Sequence, residues 1–288
     1  MSDLITELLP RCIFPPPGTP VSCAVSGGAD SMALMVLAVK HGLCVTAHHI
    51  NHSLRHDSDD DVQLIAPLAK RLDIELVVQR VSVGHGANLE ARARSARYGA
   101  LPLDVMTGHT ADDQAETILI NLMRGAATQG LSAMAPSVSR PLLQLRRADT
   151  HALCTALEIS VVHDYTNDDP SFLRNNIRHN LLPIMNDMSQ RDLVPILTRA
   201  ANIMRDDNEL LEILAGALDP TDAVALTSAP LALARRALRA WLSDPYPPDH
   251  ATIERILLVA NGARLACDIG GGREIRRSKQ RLVLGFVR

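Results

Sequence analysis

Ser26-Gly27-Gly28-Ala29-Asp30-Ser31 follows a short apolar run, Val21–Val25, and opens a segment, Met32–Val39, with helical spacing. A strand that passes through a glycine-rich turn into a helix limits what this chain can become more than any other stretch. Glycines let backbone approach a ligand closely, and a helix N-terminus offers unpaired N–H groups to an anion. The hydroxyls of Ser26 and Ser31 add donors. Asp30 would repel a phosphate unless a cation lay between them, so its presence points to Mg²⁺. No lysine follows the glycines, which excludes an ordinary Walker-type kinase or ATPase. Residues 26–31 are therefore the expected nucleotide loop, with Asp30 also a metal ligand.

The flanking pattern predicts the scaffold. Val21–Val25, Cys44–Ile50, Ile74–Val83 and Leu103–Met106 read as strands. Between and after them, Met32–Val39, Asp59–Leu72, Asn88–Tyr98 and Asp112–Arg124 read as helices, the last stopped by Gly125. Such alternation predicts an α/β fold with a doubly wound parallel sheet. Beyond residue 190 the pattern turns helical: one or two helices over Leu193–Leu218, a break at Asp219–Asp222, then Leu231–Leu242 and Thr252–Ala260. The C-terminal GGGREIRRSKQRLVLGFVR reads as a basic hairpin. These features divide the chain into residues 1–215, a nucleotide-binding domain, and 216–288, a smaller and mostly helical domain.

A second chemical signal is Gly108-His109-Thr110-Ala111-Asp112-Asp113-Gln114-Ala115-Glu116-Thr117. Glu116 follows Asp112 by four residues and Asp113 by three, so the three carboxylates share one helical face. Acids at a helix start also complement its dipole, and such acids are expected at an exposed position contributing little to folding. In a parallel sheet, however, this helix start falls on the same edge as the nucleotide loop. There the expected roles are base catalysis by Asp113 or Glu116 and metal binding by Asp112 with Asp30.

Composition narrows the alternatives. Five scattered cysteines without a CxxC pair speak for reduced thiols in a cytoplasmic protein and against a zinc or iron–sulfur site. No run reaches the roughly 18 apolar residues of a membrane span, and the N-terminus lacks a signal-peptide pattern. Aromatics are 2 % of the chain and the net charge is −3, so any nucleic-acid contact must rest on local patches. One such patch lies between residues 264 and 288, where seven Lys or Arg face two acids for a local charge of +5.

SGGADS resembles the SGGxDS signature of the PP-loop ATP pyrophosphatases, which split ATP between its α- and β-phosphates. Together with GHTADDQAET it resembles the tRNA(Ile)-lysidine synthetase family, and further blocks agree. His48-His49-Ile50-Asn51-His52-Ser53-Leu54-Arg55 is similar to the family's HVNHGLR, and the helix from Asn88 to Tyr98 to its NLEAxARxxRY. Arg140-Pro141-Leu142-Leu143 resembles RPLL. Asp164 to Asp169, continuing to Arg174-Asn175-Asn176-Ile177-Arg178, resembles D-x-S/T-N-x-D followed by RNxIR. Thr110 stands where many members have a second histidine; it cannot act as a base, and no catalytic role is expected of it.

The resemblance implies ATP as co-substrate, Mg²⁺, free L-lysine and an isoleucine tRNA with a CAU anticodon as partners, no membrane, and is compatible with a homodimer. The implied reaction replaces the carbon-2 oxygen of the wobble cytidine by the ε-amine of lysine, after AMP is transferred to that oxygen. Arg140, Arg174, Arg178, Arg92 and Arg97 are the candidate substrate-binding residues. The arginines at 92 and 97 also suit a plain solvated helix face. Rival readings are a tRNA-thiolating enzyme, a small-molecule amide ligase, and a nucleotide-binding sensor. The first would need a reactive cysteine, and the last would not require the acidic helix.

Overall fold

The computed structural model describes residues 2–51, 60–81, 99–162, 169 and 171–286. It forms two compact units, Met1–Asn202 and Ile203–Arg288. The division falls inside a single long helix, Leu193–Gly216, and so lies N-terminal to the 215/216 boundary expected from the sequence.

In the first unit a short helix α1 (Ser2–Leu8) precedes β1 (Pro20–Ala24), α2 (Ala29–Lys40), β2 (Cys44–Asn51), α3 (Asp60–Arg71) and β3 (Glu75–Arg80). The strands pair in parallel in the order β1-β2-β3. On the other edge of β1, Cys23 makes a parallel bridge to Met106. The chain thus adds β2 and β3 on one side of β1 and returns to the opposite side. That reversal makes the carboxyl end of β1 a topological switch point, where open α/β sheets bind ligands. The nucleotide loop begins there.

The predicted fourth strand, Leu103–Met106, is reduced to the single bridge at Met106. Pro102 has no N–H to donate, and the Val105 N–H turns back to the Pro102 carbonyl at 3.2 Å. The chain therefore makes a local turn instead of extending the ladder. The expected helix Asn88–Tyr98 lies outside the described residues.

Helix α2 is buried on all sides: Met32, Leu34, Met35 and Leu37 are at most 0 % exposed. A helix apolar all round must be covered all round. It packs against β1, β2 and α5 (Arg147–Ala156). Each such side chain contributes roughly 1.5–3 kcal/mol by leaving water, so the helix that carries the nucleotide loop is firmly anchored. Helix α4 (Ala111–Met123) ends at Arg124, followed by Gly125 at φ +75°, a left-handed residue that terminates the helix as the sequence predicts. Helices α6 (Leu182–Ser189) and α7 (Leu193–Gly216) follow.

The second unit contains α8 (Ala223–Ser228), α9 (Leu231–Trp241) and α10 (His250–Ala260). To the predicted hairpin, β5 (Arg273–Ser278) and β6 (Arg281–Phe286), it adds β4 (Ala266–Gly270), giving a three-stranded antiparallel sheet. Leu226, Leu238, Ile253, Ile256, Ile275 and Leu282 form its own core. The break at Asp219–Asp222 has a local cause, because Asp222 caps α8 by accepting from the Val224 and Ala225 N–H groups.

Candidate active site

The loop between β1 and α2 is built around two residues. Gly27 sits at φ +85°, and a Cβ there would lie 2.5 Å from Val162 Cγ2, so only glycine fits. Its carbonyl accepts the Val162 N–H at 2.9 Å. Ser31 closes the loop from inside: its hydroxyl donates to the Gly28 carbonyl at 2.9 Å and accepts the Ser26 N–H at 3.1 Å. Ser31 is thus a staple of the loop, while Ser26 is exposed. Gly28 is the N-cap of α2 without a side-chain cap, which leaves first-turn N–H groups of the helix for an anion.

The acidic helix is held against this loop by Gly108. A Cβ on Gly108 would lie 2.8 Å from the Asp30 carbonyl carbon and oxygen and 3.0 Å from the Ser31 nitrogen. Backbone meets backbone here, and the two sequence signals become one site. At the helix start Thr110 donates to Asp113 Oδ2 through both its N–H, at 2.8 Å, and its hydroxyl, at 3.0 Å. Thr110 therefore orients a carboxylate although it carries no base itself.

A third segment completes the array. Leu142 and Leu145 are fully buried, and the Leu145 carbonyl accepts the Ala111 N–H at 2.8 Å. These apolar anchors of the Arg140–Leu143 block deliver Arg146 and Arg147 to the acidic helix. Arg146 grips Asp112 with Nε at 3.0 Å and Nη2 at 3.1 Å. Arg147 touches every carboxylate of the site. Its backbone N–H donates to Asp112 Oδ2 at 2.8 Å, and Nη2 reaches both Asp113 Oδ1 and Glu116 Oε1 at 3.2 Å. Its Nε lies 3.7 Å from Asp30 Oδ2. The other oxygen of Asp30 accepts the Thr150 hydroxyl. Glu116 is completely buried and also binds Arg178, through Nε at 2.7 Å and Nη2 at 3.2 Å, and Arg174, through Nε at 3.0 Å. Arg178 lies in a π-helical turn, Ile177–Leu181, a distortion frequent at functional sites.

Charge follows this geometry. Burial pushes the Asp30 carboxyl up, and the Thr150 hydrogen bond and Arg147 offset this only in part, with Asp113 nearby adding to the rise. Burial also pushes up on Asp112, but the Arg146 guanidinium and the Arg147 N–H prevail and hold it below the usual carboxylate range. Asp113 is likewise held low, burial being outweighed by Arg147 and the Thr110 N–H.

Arg140 and Arg174 line a cleft of about 630 Å³ together with Thr107, His109, Thr117 and Phe172. The structure thus joins Asp30, Asp112, Asp113, Glu116, Arg174 and Arg178 in one network and puts Arg140 on an adjoining wall. Arg92 and Arg97 lie outside the described residues, as do residues 164–168 of the Asp164–Asp169 block. Sequence reasoning overlooked Arg146, Arg147 and Thr150. A signal existed for the arginines: they stand at the N-cap and first position of α5, where the helix dipole disfavours cations.

Among the described residues no three His, Cys, Asp or Glu side chains gather as a metal cage. Mg²⁺ is usually held by one or two carboxylates plus substrate phosphates, so it does not need such a cage. A cationic guanidinium already stands beside Asp30 Oδ2, which shows that the oxygen suits a positive partner.

Comparison with known proteins agrees with this geometry. The PP-loop domain family matches residues 6–185, and the TilS substrate binding domain family matches residues 222–283. A tRNA(Ile)-lysidine synthase of Nocardia farcinica is 40 % identical, covering 78 % of this chain and 76 % of its own. One of Rhodococcus erythropolis is 37 % identical over 92 % of this chain and 90 % of its own. Among solved structures, the U34-tRNA thiolase NcsA of Methanococcus maripaludis with its [4Fe-4S] cluster superimposes with a TM-score of 0.55 at 14 % identity. That match covers 70 % of this chain and 77 % of the thiolase, and it speaks to the fold alone.

Proposed function

The chain belongs to the tRNA(Ile)-lysidine synthase family, and on that premise we propose that it joins free L-lysine to carbon 2 of the wobble cytidine in a CAU-anticodon isoleucine tRNA. ATP adenylates the base oxygen, and AMP and pyrophosphate are released. The observation that carries this reading is the close packing of Gly108 on the Asp30–Ser31 peptide, which brings Asp112, Asp113 and Glu116 beside the glycine loop that carries Asp30.

The chemistry requires two things of the protein. Carbon 2 is a poor electrophile because two ring nitrogens donate into it, so its oxygen must first become a leaving group. The glycine loop and the α2 N-terminus hold the triphosphate for that transfer, with Asp30 the ligand for Mg²⁺, which neutralises phosphate charge when bound. Lysine must then attack as the neutral amine, although its unperturbed pKa is about 10.4. Asp113 orients the incoming nitrogen and relays the proton released as the carbon–nitrogen bond forms; held below the usual carboxylate range, it passes that proton on to solvent rather than keeping it. Arg147 and Arg178 lie beside Asp113, and their positive charge favours the neutral amine. Glu116, buried and held by three guanidiniums, positions the arginines. Asp112, gripped by Arg146, anchors the helix start in the same way. Arg140 and Arg174, in the adjoining cleft, suit a carboxylate or phosphate of a substrate.

Three of the five thiols do not favour a thiolation chemistry. Burial pushes Cys12 and Cys23 up to about 12 and Cys154 up to about 11, the reverse of a reactive thiolate.

The test is incubation with ATP, Mg²⁺, labelled lysine and a set of tRNAs. Label should enter only the CAU-anticodon isoleucine tRNA, with matching release of pyrophosphate. Lysine-dependent pyrophosphate release without tRNA would instead place the protein among small-molecule ligases.

A further inference from the structure

Arg147 touches both the nucleotide loop and the acidic helix. Its Nη2 bonds Asp113 and Glu116 at 3.2 Å, while its Nε stands 3.7 Å from Asp30 Oδ2. It starts α5, at the helix end where a cation is disfavoured, so the helix itself does not explain it. Of its three side-chain contacts the one to Asp30 is the longest, and Asp30 offers only that oxygen because Thr150 holds the other.

We propose that Arg147 couples the nucleotide loop to the acidic helix by standing, as an internal cation, at the Asp30 oxygen that a metal-bound nucleotide needs. This rests on the reading of residues 26–31 as a Mg²⁺–ATP loop. When the metal nucleotide binds, like-charge repulsion moves Arg147 off Asp30, and its whole charge falls on Asp113 and Glu116. The contact that breaks is the loose one. Those that remain are tied to Glu116, which is fully buried and cannot follow. Arg147 is then a positioning residue: it makes the electrostatics around the incoming amine depend on whether nucleotide is in place. It also competes with metal for Asp30 and so raises the Mg²⁺ concentration required.

The experiment needs neither lysine nor tRNA. Binding of an ATP analogue with a methylene between its α- and β-phosphorus is measured by calorimetry across a Mg²⁺ series. Wild type, Arg147→Lys, Arg147→Met and the latter combined with Asp30→Asn are compared. Arg147→Met should lower the half-saturating Mg²⁺ by roughly three- to fivefold, the scale of one partly exposed charge pair. Arg147→Lys should stay near wild type, and in the Asp30→Asn background the methionine change should have no effect. An unchanged Mg²⁺ dependence in folded Arg147→Met protein overturns the proposal, as does an equal shift in the Asp30→Asn background. Should Arg147→Met fail to fold, the Nε–H resonance of Arg147 in wild type decides. It should move when analogue binds with Mg²⁺ and stay put when analogue binds without it; a resonance indifferent to Mg²⁺ overturns the coupling. Failure to bind the analogue at all sinks the coupling together with the loop reading, whereas failure of lysine transfer alone leaves this result standing.

Discussion

Gly108 and Asp30 meet backbone to backbone, so closely that one added methyl group would fall 2.8 Å from the Asp30 carbonyl. Neither side can yield by rotating a side chain. Gly108→Ala should therefore push the start of α4 away from the nucleotide loop and lower stability by about 1–3 kcal/mol, the usual cost of overpacking. The loss should appear in both thermal melting and ATP affinity. A variant that melts lower but binds ATP normally would show that the contact supports the fold and not the site.

Asp30→Asn should separate function from stability. Burial holds the folded-state pKa of Asp30 above its unfolded value, so the ionised carboxylate is a burden to the folded protein. Below the unfolded pKa both states are protonated and nothing is lost. As pH rises through the raised folded value the burden becomes complete. Asparagine removes it, so the variant should melt at or above the wild-type temperature at neutral pH and lose that advantage in acid. Adenylation of tRNA should nevertheless vanish if, as proposed, Asp30 is the ligand for Mg²⁺. Near-normal turnover by the folded variant would remove Asp30 from the metal site.

Glu116 overturns an expectation drawn from its place near a helix start. Such acids are normally exposed and expendable, yet Glu116 has no exposed side-chain surface and faces Arg147, Arg174 and Arg178. Glu116→Gln should thus cost about 3–5 kcal/mol, the range for breaking a buried ion pair. Urea unfolding at neutral pH is the measurement. A loss below about 1 kcal/mol would mean that the arginines find other partners.

The contrast between Asp30 and Glu116 marks what a sequence of this kind discloses. The loop, the parallel strands and the acidic helix are legible because each is local: periodicity sets the strand or helix, and glycine at 27 or 125 sets the turn. The pairing of Gly108 with Asp30 joins residues far apart in the chain and leaves no local pattern. The burial of Glu116 is equally hidden, since it depends on three arginines delivered by two other segments. Leu103–Met106 misleads for the opposite reason. Its composition suits a strand, but the turn at Pro102 takes the hydrogen bond that a ladder would have used.

Asp112 and Asp113 should contribute to the acid limb of the stability curve. Both are held below the usual carboxylate range in the fold, Asp112 chiefly by Arg146 and Asp113 chiefly by Arg147 once burial is overcome. A depressed folded pKa contributes stability that is complete above the unfolded value near ~3.9 and is lost as pH falls through the folded value. Wild type should therefore lose more stability on acidification below that unfolded value than Asp112→Asn does. Parallel curves for the two proteins would show that the Arg146–Asp112 pair contributes nothing.

The basic C-terminal hairpin should dock tRNA through part of its charge only. The sequence presents Arg276, Arg277 and Lys279 as one cluster, but strand alternation divides them. Ile275 faces the core, so Arg277, two residues on, shares its side and is half buried, whereas Arg276 and Lys279 are exposed. Arg281 is paired with Asp219, and Arg273 donates to the Asp244 carbonyl at 2.7 Å, so both have structural partners. Arg276 pairs with Glu274 on the open face, an exchange that a phosphate can replace. The alternative is that these cations only solvate the open face and the turn of the sheet, since β5 is its central strand and has no free edge to guard. Phosphate contacts release counterions, at a slope of roughly 0.7–0.9 per contact in log affinity against log salt. Replacing Arg276 and Lys279 by alanine should raise the tRNA dissociation constant and flatten the salt dependence by up to about two such contacts. Arg277→Ala alone should change the slope little, and neither change should alter ATP affinity. A salt titration of tRNA binding for the three proteins is the measurement. Equal slopes and affinities in all of them would leave the hairpin charge as surface solvation only.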